Sequence, residues 1–300
     1  MILTVTLNPA VDKTCQTTGL LPGQVNRMRK TLSTAGGKGV NVTKILRQFH
    51  LPVMAMGFLG GYGGKMIEDA LTKRGAECHF TKIRGETRTN MNILGDDGDV
   101  TELLEPGPRI APKELGSFRK EFEYCLEQSS IVVLSGSIPQ GVPANIYKEL
   151  IERCRAEGRK VILDASGDSL REGVLAKPYM IKPNWKELEF LAGRRLPDRN
   201  DVETEAKRLA ESGIRRVVVS MGGRGLLYVE GEKMIFEPAR EVKALNTVGC
   251  GDCVVASMTM SEIAGDEPQI ALRKAAALAA ANTLTWESGS ISMEQYLELL

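Results

Sequence analysis

The chain has 300 residues, of which 42% are hydrophobic and 26% charged, enough apolar material for one large α/β domain or two small ones. A formal net charge of +1 leaves no electrostatic basis for binding nucleic acid or a membrane surface, and no apolar run is long enough to span a bilayer. Six cysteines and two histidines, His50 and His79, contain one C-x-x-C pair, Cys250 and Cys253, without the second pair or the histidine spacing of a zinc site.

The N-terminus runs straight into Ile2 to Leu7, a buried-strand pattern with no signal peptide before it, so a reduced cytoplasmic compartment is expected. Asn8-Pro9-Ala10-Val11-Asp12 follows as a loop. Asp12 reads either as a turn residue or as an acceptor for sugar hydroxyls at the carboxyl end of a strand. Residues 14 to 34 are polar, basic and β-compatible, and do not read as core. Gly36-Gly37-Lys38-Gly39-Val40-Asn41 then opens an amphipathic helix through Ile45 and Leu46. It lacks the first glycine and the hydroxyl of a Walker A loop, and it is not a dinucleotide fingerprint either.

Val53 to Leu59 predicts a second apolar strand, and Met66 to Lys73 a helix. Glu86 to Leu94 alternates like an exposed strand, Asp96-Asp97-Gly98-Asp99 is a hairpin signal, and Val100 to Leu104 returns. This hairpin interrupts a strand–helix rhythm. With residues 14 to 34 it predicts a small β layer over the site. From Pro112 the rhythm is regular. Helices are expected over 115–126, 143–155, 201–212, 250–264 and 268–284, with a helix starting at Asn184. Strands are expected over 131–134, 160–164, 179–182, 216–220 and 226–229. Strands alternating with helices imply a mostly parallel sheet covered on both faces.

Asn246-Thr247-Val248-Gly249-Cys250-Gly251-Asp252-Cys253 is the most informative stretch. Two glycines permit tight backbone, and the first amides of the following helix are unpaired and carry the positive end of its dipole, which suits an anion such as phosphate. A carboxylate there, Asp252, would repel the anion unless it takes a proton from an attacking nucleophile. The other reading is that Asp252 caps the helix. A helix start also predicts a lowered thiol pKa at Cys250 and Cys253, hence sensitivity to oxidants.

Three motifs then occur in one order. Asn246 to Asp252 resembles the C-terminal signature of the ribokinase/PfkB family of sugar kinases, Gly36 to Asn41 its N-terminal glycine signature, and Asn184-Trp185-Lys186-Glu187 its N-x-x-E motif. Asn8 to Asp12, Glu86 to Asn90 and Ser135-Gly136-Ser137 resemble the branch that acts on phosphosugars. The resemblance covers essentially the whole chain. It implies a ribokinase-like three-layer α/β/α sandwich with a mostly parallel central sheet and a small β-sheet lid, here a single domain 1–300 with the lid from about 12–34 and 86–104.

The resemblance also implies ATP and Mg²⁺, and ATP-dependent phosphorylation of a ketose phosphate: fructose 1-phosphate first, tagatose 6-phosphate as the alternative. Asp252 becomes the catalytic base, with the amides of Gly249, Cys250 and Gly251 as the anion hole. Asp12, Gly37, Lys38, Asn41, Arg88 and Ser137 match substrate positions, Arg88 meeting the phosphate the sugar already carries. Lys182, Asn184, Ser220, Gly222, Gly225, Gly251 and Asn282 match nucleotide positions, and Glu187 a Mg²⁺ position acting through water. A homodimer joined through the lid is expected. Two other readings stay open, a kinase for an unphosphorylated sugar or nucleoside and a non-catalytic sugar-phosphate-binding protein. Asp252 argues against the second of these, Arg88 and the lid arginines against the first.

Overall fold

The computed structural model describes residues 1–96 and 100–300. Asp97, Gly98 and Asp99 of the expected hairpin turn lie outside the described residues. The chain begins with β1 (Ile2–Thr6), then β2 (Ala10–Gln16), β3 (Lys30–Gly36), α1 (Lys38–Gln48), β4 (Val53–Leu59), α2 (Gly61–Lys73), β5 (Glu77–Lys82), β6 (Arg88–Leu94) and β7 (Val100–Leu104). It continues through α3 (Pro112–Glu127), β8 (Ile131–Ser135), α4 (Ile146–Ala156), β9 (Lys160–Asp164), α5 (Gly167–Leu175), β10 (Met180–Ile181) and α6 (Trp185–Ala192). Last come α7 (Arg199–Glu211), β11 (Arg216–Ser220), β12 (Leu226–Glu230), β13 (Lys233–Glu237), α8 (Cys250–Ala264), α9 (Pro268–Thr283) and α10 (Met293–Leu299).

Among the described residues nine strands form one sheet in the order β13-β12-β11-β10-β9-β8-β1-β4-β5, parallel except where β12 meets its two neighbours. The central strands are apolar on both faces because helices cover both. One core packs against α3 to α7, the other against α1, α8 and α9. After β1 the chain builds toward β4 and β5 on one side, then crosses to β8 and beyond on the other. The crevice between β1 and β8 is therefore a topological switch point, where open α/β sheets bind ligands beyond the carboxyl ends of their strands. Asn8 follows β1 and Ser137 follows β8 at that edge.

The second sheet has the order β3-β2-β6-β7. Its residues are not the plain surface their polarity suggests. Thr14, Asn90 and Asn92 are all buried, because one face of this small sheet closes over the crevice. Helix α2 starts at Gly61, five residues before the expected Met66, since glycines in its first turn cost helix propensity but allow close packing on the lid. Four further elements, β5, α5, β13 and α10, were not predicted. β5 and β13 are edge strands with weak alternation, and α5 and α10 are short helices of nine and seven residues.

Candidate active site

The lid and the carboxyl edge of the large sheet enclose a cavity of about 760 Å³. Residues 247–252 of the Asn246–Cys253 turn form part of its wall. Asn246 Oδ1 accepts from the Val248 amide at 3.0 Å, and Asn246 Nδ2 donates to Trp286 O at 3.2 Å. Asn282 Nδ2 donates to Val248 O at 2.9 Å. So pinned, the chain reaches Gly249 at φ 87°, a left-handed conformation that glycine adopts without a Cβ penalty, and enters α8. The Cys250 amide makes only a 3.4 Å turn bond to Thr247 O, and the Gly251 amide has no backbone acceptor among the described residues. These amides face the cavity at the positive end of α8.

Asp252 does not cap this helix. Gly249 is the N-cap residue, and no side chain caps it. Instead Asp252 is the third helical residue, buried at 5% exposure, and its Oδ2 accepts from Asn41 Nδ2 at 2.8 Å. Burial first, and then the like charge of Asp164, push its pKa up to about 7, against the opposing pull of Lys38, Asn41 and Lys182. A carboxylate poised near neutrality has the proton affinity a general base needs. Asn41 is held in turn by the buried Lys44, whose Nζ lies 3.3 Å from Asn41 Oδ1. That contact fixes which end of the Asn41 amide faces Asp252.

At the cavity wall a charge cluster joins the ends of β9 and β10 to the starts of α1 and α6. Lys38 Nζ donates to Asp164 Oδ1 at 3.0 Å, Lys182 Nζ lies 3.4 Å from the same oxygen, and Glu187 Oε1 is 3.7 Å from Lys38. Burial opposes the charge on Asp164, but Lys182 and Lys38 outweigh it and hold its pKa below the usual carboxylate range. Burial opposes the charge on Lys38 as well, and Asp164, Glu187 and Asp252 together keep it above the ordinary lysine value. Asp164 Oδ2 is buried without a partner among the described residues.

Asn184 and Glu187 form a reciprocal capping box on α6: Glu187 N donates to Asn184 Oδ1, and Asn184 N donates to Glu187 Oε2, both at 2.8 Å. One Glu187 oxygen thus decorates a helix start, and the other faces Lys38.

At the far end of the cavity Asp12 is buried and accepts from Asn90 Nδ2 at 3.0 Å. Burial raises its pKa, with Asn90 the strongest opposing influence. A Cβ at Gly36 would stand 2.1 Å from the Asp12 carboxylate, so only glycine lets the loop before α1 close on it. Arg88, Asn90 and Asn92 project from one face of β6 at two-residue spacing and line the same wall. Arg88 donates to Asn8 O from Nε at 3.2 Å and from Nη2 at 3.0 Å, and from Nη1 to Glu105 O at 2.8 Å. Three of its five donors are used, and the guanidinium plane is thereby fixed.

Of the expected site residues, Asp12, Gly37, Lys38, Asn41, Arg88, Ser137, Lys182, Asn184, Ser220, Gly222, Gly225, Gly249, Cys250, Gly251 and Asp252 all line the cavity. Glu187 stands behind Lys38 rather than in the wall. Asn282 is buried at 1% exposure and outside the wall, with its amide spent on Val248 O and its Oδ1 on the Gly289 amide. It supports the glycine turn. The expected low thiol pKa is corrected: burial, countered by Asn282, pushes Cys250 up to about 11, and burial raises Cys253 further within the core. A dipole at the helix start does not offset the loss of solvent there.

Sequence reasoning gave Asn8 and Asn90 only as members of motifs, without a site role, and did not single out Asn92, Glu102, Arg240 or Asp164. The lid register, which pairs Asp12 with Asn90 and Asn92 with Glu102, brings three of these together. The two-residue spacing after Arg88 was the available signal.

A parallel-sheet sandwich with a β lid, amides at a helix start and a buried carboxylate beside them define a sugar kinase, a phosphotransferase with an alcohol acceptor that uses ATP and Mg²⁺. Residues 4–294 match the pfkB family carbohydrate kinases, and the chain belongs to that family. It is 34% identical to the 1-phosphofructokinase of Bacillus subtilis (strain 168) over 301 residues, covering 100% of this chain and 97% of that protein. Among solved structures it superposes on Escherichia coli phosphofructokinase-2 in complex with substrates and products at a TM-score of 0.91, with 30% identity and coverage of 99% and 97%. A structure from Thermotoga maritima described as a possible 1-phosphofructokinase gives a TM-score of 0.90 with 29% identity and coverage of 100% and 97%. No helix among the described residues is long and apolar enough to cross a membrane.

Proposed function

We propose that this chain transfers the γ-phosphoryl group of ATP to a free hydroxyl of a ketose phosphate, fructose 1-phosphate before others, giving fructose 1,6-bisphosphate. The observation that carries this reading is the opposition of two groups across one cavity. Asp252 lies beside unpaired helix amides at one end, and Arg88, with two donors unspent, lies on the lid at the other. Asp252 takes the hydroxyl proton as the oxygen attacks. The Gly249, Cys250 and Gly251 amides stabilise the charge on the transferring group. Asp12 and Asn41 orient the sugar, and Ser137 and Lys38 close on it from β8 and α1. Lys182, Asn184, Ser220, Gly222 and Gly225 face the nucleotide end.

Mg²⁺ supplies charge neutralisation on the nucleotide phosphates. The oxygen donors present fit it: Glu187 through water, with the unpartnered Asp164 Oδ2 nearby. The test is a coupled assay over a panel of phosphosugars and free sugars. Turnover confined to free fructose or a nucleoside would overturn the phosphosugar reading, and preference for tagatose 6-phosphate would change only the sugar.

The base has a pH signature. Asp252 works deprotonated, so with a pKa near 7 the value of kcat/KM is expected to fall as pH drops through about 7. Asp164→Asn removes the nearby like charge and is expected to move this limb to lower pH. A limb near the ordinary carboxylate value in wild type would count against Asp252 as the titrating base.

The whole chain acts as one kinase unit, and a cytoplasmic location, in keeping with six free thiols, belongs to the same reading. The unit is a homodimer clasped through the lid. The four-stranded sheet ends on both sides in open edges, β3 and β7. Leu20, Leu21, Val25, Met28, Leu32, Leu103 and Leu104 are exposed on these strands and the loop between β2 and β3, a concentration of apolar surface that pairing would cover. Arg27 in that loop then reaches the neighbouring cavity. Sedimentation velocity is expected to give a dimer at micromolar concentration, and Val25→Asp with Leu103→Asp to dissociate it. A fully active monomer would rule the clasp out.

A further inference from the structure

The histidine and cysteine that do meet in this fold lie outside the cavity, on residues far apart in sequence. β5 is the edge strand of the large sheet, and its side chains alternate between faces. Cys78 turns toward α2, where Thr72 Oγ1 lies 3.6 Å from its sulfur. His79 turns the other way, onto α3, with its ring 5.7 Å from that of Tyr124. Glu121 and Cys125 stand four residues apart on α3, hence on one helical face. His79 Nδ1 is 2.8 Å from Glu121 Oε1, and the ligand atoms of His79, Glu121 and Cys125 all lie within 4.8 Å of one another.

We propose that His79, Glu121 and Cys125 form a binding site for a zinc-class divalent cation that ties the edge strand β5 to α3. Zinc binds imidazole nitrogen, carboxylate oxygen and thiolate sulfur at about 2.0–2.3 Å, so its tetrahedral ligand atoms stand roughly 3.3–3.7 Å apart. The 2.8 Å His79–Glu121 pair must open slightly and the wider separations, up to 4.8 Å, must close by about an ångström, within reach of side-chain rotation at the two partly exposed ligands. The mixed nitrogen, oxygen and sulfur donors select against Mg²⁺, which takes oxygen in an octahedral shell, and so keep this site separate from the nucleotide's metal.

Access follows from burial. The His79 and Glu121 side chains are 21% and 41% exposed, whereas Cys125 is fully buried beneath them. The ion enters from the solvent side, the thiol forms the floor, and a water completes four-coordination. The thiol proton leaves to buffer as the metal–sulfur bond forms. Edge strands are the weakly held margins of sheets, and a cross-link from β5 to α3 acts where, among the described residues, no further strand pairs.

The experiment uses the full chain, stripped of metal, without nucleotide. Zn²⁺ is titrated against a chromogenic chelator, Co²⁺ binding is followed by absorption, and melting is measured with and without Zn²⁺. One Zn²⁺ per chain is expected at micromolar affinity or tighter, unaffected by excess Mg²⁺. Co²⁺ should show a thiolate charge-transfer band, and Zn²⁺ should raise the melting temperature. His79→Ala should weaken binding by about tenfold or more and abolish the melting shift. Glu121→Gln, also on the half-exposed side, should weaken it similarly, and Cys125→Ser should remove the cobalt band. The two half-exposed variants keep the test readable if the buried serine impairs folding. Absence of stoichiometric micromolar binding, or binding unchanged in His79→Ala, overturns the site.

Discussion

Asp252→Asn is expected to fold normally, bind ATP and phosphosugar near wild-type strength, and lose kcat by ~10²-fold or more, the usual consequence of removing a positioned general base. The geometry sharpens this expectation. The introduced amide can still accept from Asn41 Nδ2 through its own oxygen, so the contact at 2.8 Å survives while the proton acceptor is lost. Stability should not fall. The folded pKa of Asp252 is raised to about 7, above the ordinary carboxylate value, so the native state holds a proton the unfolded chain has released. Stability therefore falls as pH rises from about 4 to about 7, and the ionised group is a burden above that window. The neutral amide removes that burden, and the variant should melt no lower than wild type at pH 7.5. Single-turnover kinetics, nucleotide binding and melting together check the result. Near-normal kcat would reduce Asp252 to a structural residue of the glycine turn.

The large sheet was legible because its central strands are apolar runs separated by helices of regular length, and buried parallel strands require such runs. The glycine turn was legible because few backbones other than a tight anion-binding turn need glycine on both sides of Cys250 just before an apolar helix. Burial on the lid was not legible. Asn90, Asn92 and Thr14 are polar, and a polar alternating strand reads as surface until a second layer is known to close over it.

Nor was the charge state of the cysteines. The dipole at the start of α8 is visible in sequence, but the packing of α8 against α9, which removes water from Cys253, is not. Asp164 ends a strand whose apolar pattern is plain, yet its importance depends on Lys182 at the end of the next strand and on Lys38 arriving from a helix 126 residues away in the chain. Glu187 shows two readings of one residue realised together. Its first-turn position does cap α6, and its second oxygen still reaches the charge cluster.

Arg88→Ala is expected to raise KM for fructose 1-phosphate far more than KM for ATP, and to reduce the poor use of free fructose far less than that of fructose 1-phosphate. Truncating one partner of a buried charge pair costs about 2–4 kcal/mol, or roughly 30- to 900-fold, and the half-exposed guanidinium places the effect toward the lower end. Its position supports a phosphate contact. Asn8 O takes the Nε–Nη2 edge and Glu105 O a hydrogen of Nη1, and among the described residues two N–H groups, one on each Nη, remain for a phosphate. Burial lowers the Arg88 pKa, opposed by Asp12 and Glu105, but arginine remains charged throughout the working pH range.

The variant also frees the Asn8 and Glu105 carbonyls, which loosens the lid. That cost falls on every sugar alike, so the ratio of kcat/KM for fructose 1-phosphate to that for fructose isolates the phosphate contact. A ratio that collapses in Arg88→Ala assigns the guanidinium to the substrate's own phosphate. An unchanged ratio with both activities reduced would make Arg88 a lid residue and remove the main local support for a phosphorylated substrate. If wild type instead prefers tagatose 6-phosphate, the same ratio measured against free tagatose decides the role of Arg88, because the argument depends on the phosphate and not on the configuration of the sugar.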